Sequence, residues 1–356
     1  MYLARRGPSP VGPPAIELPR VSVIVTAHNY ARYIGECMAS IRAQTYTNFE
    51  CVVVDDRSTD GTREVAEAAA SAWNDARFTV TQTPQNLGQL GAGVFGLSKT
   101  RGDFVVFVDA DDLLHDNFLA RHLFAHLNFE LPVGFTSSDQ WTINAAGEVL
   151  SFHDSQFISR YYDHEGQEVT IGEGSDRPMR AYLLRWQDSL DFSHWWWGTQ
   201  STMMFRRALL ELILPDHLEP GVFRRCADSY VVRFGQLIGG SLILREALGR
   251  YRRHGSNNFA SALIAARMNS GDMCKHPTFD EHFAFALTML SAKSSQFIAV
   301  LGQDRYQSLL ATCRLGAGNR TFPGRGSLPH RIFRRALLSL VGTKTYAAMR
   351  ARLLDL

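Results

Sequence analysis

One apolar run that leads directly into a group of carboxylates constrains the fold of this 356-residue chain more than any other feature. Phe104–Val108 is continuously apolar, which is typical of a strand buried on both faces of a sheet. Asp109, Asp111 and Asp112 follow at once. Because like charges this close repel, burying them without a partner is costly. The stretch therefore predicts a strand whose end holds Mg²⁺ or Mn²⁺, with substrate phosphates as further ligands.

Predicted strands and helices alternate through the first third of the chain. The predicted strands are 21–26, 51–54, 78–81 and 104–108, and the predicted helices are 31–43, 63–73 and 88–100. Alternation with short links predicts an α/β fold with a mostly parallel sheet flanked by helices. Ligands bind such sheets at the carboxyl ends of the strands. Three polar strand ends are expected to meet there: Thr26–His28, Asp55–Asp56 and Asp109–Asp112. An isolated, solvated acidic turn would not produce such a convergence.

The composition divides the chain into three parts. Residues 1–19 contain five prolines and are predicted to be a disordered leader. Residues 20–260 are expected to form the α/β domain, within which the polar, Gly-rich stretch 153–178 predicts a loop or lid. Residues 261–356 have a helical pattern and are expected to be a C-terminal extension that ends in an Arg-rich amphipathic tail, 328–356.

Charge and cysteine usage exclude several classes of protein. The formal net charge of +2 predicts no nucleic-acid partner. The five cysteines are scattered and form no Cys-x-x-Cys, which fits a reducing compartment, and no apolar run reaches the roughly 18 residues of a membrane helix. We therefore expect a cytoplasmic protein. For the Arg-rich tail, a solvated face and a peripheral membrane contact both stay open.

Five motifs resemble those of the family 2 glycosyltransferases, which have the GT-A fold. They occur in the family's order and spacing over roughly residues 20–260: Val21–Asn29, Val52–Thr62, Asn86–Gly88, Gly102–Asp112 and Tyr251–Asn257. The chain departs from the family at two places. Arg57 stands where the family often has Gly, and Gly93-Val94 stands where it often has an Arg-Asn pair.

The resemblance implies that the first two strand ends bind the nucleotide of a nucleotide-diphosphate sugar. Thr26 and His28 would line the base and the ribose. Asp56 would accept a hydrogen bond from the imide N–H of the base, with Asp55 supporting it. For Asp56, an Asx-turn that caps the following helix remains the alternative.

The resemblance also implies a metal site and a catalytic base. Asp109 and Asp111 would form the Asp-x-Asp pair that holds the donor sugar and its metal-bound diphosphate, and Asp112 would reach the same ion. His254 corresponds to a late histidine near the diphosphate, where a solvated loop residue is the alternative. Asp228 stands at the position of the family's catalytic base, although a plain helix N-cap would also explain it.

These residue types suit glycosyl transfer chemically. A departing nucleoside diphosphate develops negative charge, which a divalent cation offsets. The acceptor hydroxyl is a poor nucleophile until a carboxylate, here Asp228, takes its proton. One base and one metal suit a single displacement that inverts the anomeric carbon, whereas retention requires a second, nucleophilic carboxylate. The predicted reaction moves a hexosyl or related group from a UDP- or dTDP-sugar to a saccharide or lipid-linked glycan in cell-surface polysaccharide synthesis.

Three consecutive tryptophans, Trp195, Trp196 and Trp197, form the last candidate site. Neighbouring residues on a strand point to opposite faces, so the three side chains are not expected to share one direction. We predict that at least one faces the cleft and stacks on the acceptor sugar. Packing in the core is the alternative.

Three other kinds of protein are alternatives to a glycosyltransferase. A receiver domain also places acidic pairs around Mg²⁺, but it has no use for Asp228 or for Tyr251–Asn257. A nucleotidyltransferase has a Gly-rich phosphate loop after its first strand, where this chain has Ala27–Tyr30. An inactive or regulatory sugar-nucleotide-binding protein remains the main alternative, and the intact Asp109 and Asp111 argue against it.

Overall fold

The computed structural model describes residues 18–151, 167–185, 195–224, 226–254 and 279–318. Several sequence predictions lie outside these residues. They are the leader up to residue 17, the first part of the predicted loop at 153–178, the end of the last motif at 255–257 and the Arg-rich tail at 328–356.

The described residues contain eleven strands. They are β1 Val21–Ala27, β2 Phe49–Asp55, β3 Phe78–Gln82, β4 Phe104–Asp109, β5 Leu113–Leu114, β6 Phe135–Asn144, β7 Val149–Ser151, β8 Gln167–Ile171, β9 Met179–Leu184, β10 Met203–Arg206 and β11 Ser241–Arg253. They form one mixed sheet in the order β3-β2-β1-β4-β10-β6-β11-β9-β8, with β5 paired to β11 and β7 to β6.

The helices pack on both faces of this sheet. They are α1 Ile34–Arg42, α2 Thr62–Trp73, α3 Gly88–Ser98, α4 Phe118–Asn128, α5 Arg207–Ile213, α6 Ala227–Gly239, α7 Phe279–Ala292, α8 Ser294–Leu301 and α9 Gln303–Gly318. A single 3₁₀ turn, Gln200–Thr202, precedes β10. The predicted α/β fold with C-terminal helices is thus confirmed.

The first four strands are parallel, as the alternation predicts. The register places Thr26 opposite Asp109 and Ala27 opposite Asp55. The three polar strand ends therefore meet at one edge of the sheet, which confirms the central expectation from the sequence.

The other half of the sheet is mixed rather than parallel. β10 runs antiparallel to both β4 and β6, while β11 is parallel to β6 and antiparallel to β9. The expected loop at 153–178 also needs a correction, because residues 167–171 form the edge strand β8. Four of its five side chains are not buried, so this strand lacks the apolar signal by which strands are recognised.

Alternate residues of the central strands fill two separate apolar layers. On β4, Val105 and Phe107 face one layer, and Val106 and Val108 face the other. The first layer also contains buried side chains of α3, α5, α6 and the C-terminal helices, and the second contains those of α1 and α4. The C-terminal helices thus share a core with the sheet.

In the described ranges, no single helix is long and apolar enough to cross a membrane. One pair, Glu281–Ala292 with Ser294–Leu301, meets the criterion together by length and composition, although its two helices are bent by 90°. Apolar side chains of this pair, such as Leu290 and Phe297, are buried in the first core layer.

Two buried histidines between α4 and the sheet make the fold sensitive to acid. His122 Nδ1 lies 2.7 Å from Thr136 Oγ1, and His126 Nε2–H donates to the carbonyl of Met204 at 3.1 Å. Burial lowers the pKa of His122 well below 6.5 and the pKa of His126 to about 3. Below about pH 6.5 the unfolded chain therefore binds protons that the folded chain does not, and the free energy of unfolding decreases as the pH is lowered.

We expect this free energy to drop by about 1.4 kcal/mol per histidine between about pH 7.5 and about pH 5.5. Urea unfolding of the wild type and of His122→Gln/His126→Gln at both pH values measures the difference. The double variant should lose much less stability on acidification. The control His217→Gln, at an exposed site, should lose as much stability as the wild type does. If the double variant lost as much as the wild type, the assignment of the acid sensitivity to His122 and His126 would be contradicted.

Candidate active site

The acidic run follows β4 in a tight turn at the edge where the parallel strands end. Asp109 is the last residue of β4, and its carbonyl accepts the backbone N–H of Asp112 at 3.0 Å. The backbone N–H of Asp109 donates to Ser201 Oγ, also at 3.0 Å. One hydrogen bond within the turn and one to Ser201 thus hold the carboxylates at the strand end.

Two of these carboxylates, Asp109 and Asp112, are held in an environment that disfavours their charge. Burial and the nearby charges of Asp111 and Asp228 raise the pKa of Asp109 to about 7. Burial and the other two carboxylates of the run likewise raise the pKa of Asp112, which hydrogen bonds from Ser201 and Arg252 oppose. A bound cation would relieve this repulsion.

His254 joins the acidic run from the end of the sheet's longest strand. Its Nε2 lies 2.9 Å from Asp111 Oδ2, and both side chains are about 95% buried. The imidazole stacks on Tyr33 with ring centroids 4.9 Å apart. His254 is therefore not a solvated loop residue, and its position near a diphosphate stays a prediction.

The four predicted metal ligands do not form a preformed ion cage. Within the described residues, no group of three or more His, Cys, Asp or Glu side chains is arranged to hold an ion. Asp112 Oδ1 already accepts the backbone N–H of Arg252 at 3.0 Å. The remaining set suits Mg²⁺ or Mn²⁺ only with substrate phosphates as ligands, since such ions typically take one or two carboxylates and complete their shell from the substrate and water. Asp109 and Asp111 fit that arrangement best.

Arg252 is a functional residue whose importance sequence reasoning missed, although it lies inside one of the recognised motifs. Its side chain is fully buried. Nε donates to the carbonyl of Asp111 at 2.8 Å, and Nη2 pairs with Glu36 Oε2 at 2.6 Å. The turn that carries the carboxylates is therefore attached to both α1 and β11. In the sequence, the only signal for this attachment is the positive charge of Arg252 close to His254.

Asp228 approaches the same site from the second half of the chain. Helix α6 has Cys226 as its N-cap, so Asp228 lies within the first turn and is not the cap. Its Oδ1 accepts the backbone N–H of Ser229 at 2.9 Å. Burial raises the pKa of Asp228, while that hydrogen bond and the charge of Arg233 oppose the rise. Asp228 lies close to Asp109, because the side-chain amide of Gln89 bonds both Asp109 Oδ1 and the backbone N–H of Ala227, the residue before Asp228.

At the nucleotide end, the carboxylate of Asp56 binds the chain itself. Oδ1 accepts hydrogen bonds from Thr83 Oγ1 and the Leu87 amide, and Oδ2 accepts one from the Gly88 amide, each at 2.8 Å. The side chain holds the loop before α3 against the end of β2, and only 3% of the residue is exposed. Contact with the base stays a prediction.

The other predicted nucleotide residues surround Asp56. His28 Nδ1–H donates to the Asp56 carbonyl at 2.8 Å, and Asn86 Nδ2 donates to the same oxygen at 3.0 Å. Asp55 accepts hydrogen bonds from the Ser58 amide and from Gln82 Nε2. Thr26 is half-buried opposite Asp109. The structure thus brings the whole predicted set to one edge.

The chain is similar in sequence to known glycosyltransferases. Residues 22–179 match the model described as Glycosyl transferase family 2. The chain is 29% identical to an uncharacterized glycosyltransferase of Nostoc sp. over 246 residues, 69% of this chain and 68% of that protein. It is 34% identical to glycosyltransferase GlyG of Streptococcus pneumoniae over 99 residues, 28% of this chain and 32% of that protein.

A solved structure shares the fold. S. aureus TarS 1-349 in complex with UDP superposes with a TM-score of 0.50 at 19% identity, covering 83% of this chain and 70% of that chain. Residues 22–179 therefore form a glycosyltransferase family 2 domain, and the chain has the GT-A fold. Against GlyG, the aligned stretch spans about a third of the relative's length.

The three consecutive tryptophans differ in exposure. Trp196 and Trp197 are 8% and 5% exposed within the first core layer, and Trp197 Nε1–H donates to Ser241 Oγ at 2.9 Å. Trp195 is half-buried against the same layer, and its Nε1–H donates to the Gly198 carbonyl. Trp195 is therefore the member best placed for the predicted acceptor contact.

If Asp56 holds the loop before α3, its removal will destabilise the family 2 domain without any ligand present. We expect Asp56→Asn to lower the free energy of unfolding by about 2 kcal/mol. In the variant, the side-chain NH₂ group would face a backbone N–H that in the wild type donates to a charged oxygen. Urea unfolding of the ligand-free protein measures this, with Asp216→Asn on the exposed surface as control. Unchanged stability combined with lost nucleotide affinity would instead show a carboxylate that only reads the base.

Proposed function

We propose that the protein is a metal-assisted, inverting glycosyltransferase. Its donor is a nucleotide-diphosphate sugar, a UDP- or dTDP-sugar that carries a hexosyl or related group. Its acceptor is a hydroxyl of a saccharide or lipid-linked glycan in cell-surface polysaccharide synthesis. The observation that carries the proposal is that the acidic run at the end of β4, with Asp109 and Asp111, lies close to Asp228 of α6, because the Gln89 amide bonds both Asp109 and Ala227.

In this proposal the donor lies along the carboxyl edge of the parallel strands. His28 and the loop that Asp56 holds would contact the nucleoside, and Asp109 and Asp111 would face the diphosphate. A bound divalent cation would supply charge neutralisation for the leaving diphosphate. His254, packed between Tyr33 and Asp111, fixes the orientation of that carboxylate.

Asp228 is the proposed general base. A carboxylate with a raised pKa is a stronger base than an exposed one, so it suits proton removal from an acceptor hydroxyl. Asp109 and Asp111 are assigned to the diphosphate, which leaves Asp228 as the carboxylate for the acceptor side. A single displacement with inversion follows from this division. The intact acidic run and Asp228 support an enzyme over an inactive sugar-nucleotide binder.

Replacing Asp111 tests the donor side. We expect Asp111→Asn to reduce Mn²⁺-dependent transfer at least about 100-fold, because it removes a charge that faces the cation and the diphosphate. The wild type treated with a chelator should lose activity similarly and recover with added Mn²⁺. The measurement is nucleoside diphosphate release, with exposed Asp116→Asn as the matched control. A wild-type rate in Asp111→Asn would remove the metal from the proposal.

Replacing Asp228 tests the acceptor side. We expect Asp228→Asn to lower kcat about 100-fold or more while the donor Kd stays within about threefold, because the amide keeps the shape but cannot take a proton. Calorimetric titration with the donor and Mn²⁺ gives Kd, and product NMR gives the anomeric configuration, expected to be opposite to the donor's. Loss of donor binding, or a retained configuration, would refute the assignment.

A further inference from the structure

The first turn of α3 packs directly against the segment that leads into α6. Gly88 has φ +80°, and a Cβ there would lie 2.8 Å from the Cα of Arg224, so only glycine permits this approach. The next residue, Gln89, donates its backbone N–H to the carbonyl of Arg224 at 3.1 Å. The backbone of Gln89 is thereby fixed beside the start of α6.

The side-chain amide of Gln89 then bridges the end of β4, the 3₁₀ turn and the start of α6. Its Nε2 donates to Asp109 Oδ1 at 3.1 Å and to Gln200 Oε1 at 3.3 Å. Its Oε1 accepts the backbone N–H of Ala227 at 3.1 Å. The orientation of the amide is unambiguous, because a carboxylate can only accept and a backbone N–H can only donate.

The bond to Ala227 replaces a missing helix cap. Ala227 is the first residue of α6, and the first N–H groups of a helix have no partner within it. The N-cap Cys226 is in the left-handed region, φ 57°, and makes no side-chain capping bond. Gln89 therefore caps α6 from another part of the chain, immediately before Asp228.

We propose, on the basis of the proposed function, that Gln89 is a positioning residue that sets the separation between the donor carboxylate Asp109 and the base Asp228. Asp109 and Asp228 repel each other, and one neutral amide holds the elements that carry them together. In the free protein, Gln89 fixes the start of α6. During transfer, it keeps Asp228 aligned with the donor.

Two substitutions separate the two ends of this bridge. Gln89→Met removes both bonds, whereas Gln89→Glu keeps an acceptor for Ala227 and loses the donor to Asp109. Gln307→Met, on the exposed surface of α9, is the control. Peptide-level hydrogen exchange of the ligand-free proteins reports on residues 227–232, and steady-state kinetics with Mn²⁺ and a UDP-sugar reports on kcat and donor KM.

We expect Gln89→Met to exchange at least about tenfold faster at 227–232 but not at the centre of β2, and to lose at least about tenfold in kcat with donor KM within about threefold. Gln89→Glu should retain protection of α6 and raise donor KM, because its carboxylate repels Asp109. Unchanged exchange in Gln89→Met, or equal changes of kcat and KM in both variants, would overturn the inference.

The proposed function and the role of Gln89 can be refuted separately. If the wild type transfers no sugar, the proposed function fails, while hydrogen exchange still decides whether Gln89 caps α6. If the wild type transfers sugar and Gln89→Met matches it, only this inference fails. Should Gln89→Met not fold, Gln89→Glu decides alone, and wild-type donor KM in that variant would overturn the bridge.

Discussion

The mutual repulsion of buried carboxylates is the constraint on which this structure depends. Asp109, Asp112 and Asp228 would separate or take up protons unless the surrounding chain held them. The protein surrounds them mainly with neutral donors, such as the Ser201 hydroxyl and the Gln89 amide. Neutral donors orient carboxylates without cancelling their charge, and so the site keeps the negative charge that the proposed cation would neutralise.

The fold assembles this site from two halves with different roles. The parallel half contributes the strand ends, because the carboxyl ends of β1, β2 and β4 meet at one edge. The mixed half contributes the residues that close the site, since β11 carries Arg252 and His254 follows it. Antiparallel β10 joins the two halves, and α6 brings Asp228 from the layer that the C-terminal helices cover.

Asp56 and the two buried tryptophans show that residue type alone does not determine a role. Asp56 has the charge and position of a base-reading carboxylate, yet its oxygens accept three hydrogen bonds from the chain. Trp196 and Trp197 have rings suited to a sugar, yet they lie in the core. In both cases the neighbours come from distant segments, and they decide whether an aromatic or acidic side chain faces the ligand or the protein.

The sequence by itself determined the parallel strands and the edge where Thr26, Asp55 and Asp109 meet, because burial on both faces and polar strand ends are local patterns. Only the tertiary structure decided how Asp228 is positioned and which residues hold the acidic run. Gln89 and Ala227 are 138 residues apart, and Arg252 and Asp112 are 140 apart. A hydrogen bond from a neutral amide or a backbone N–H leaves no periodic pattern in a sequence, so such partners become visible only when the chain has folded.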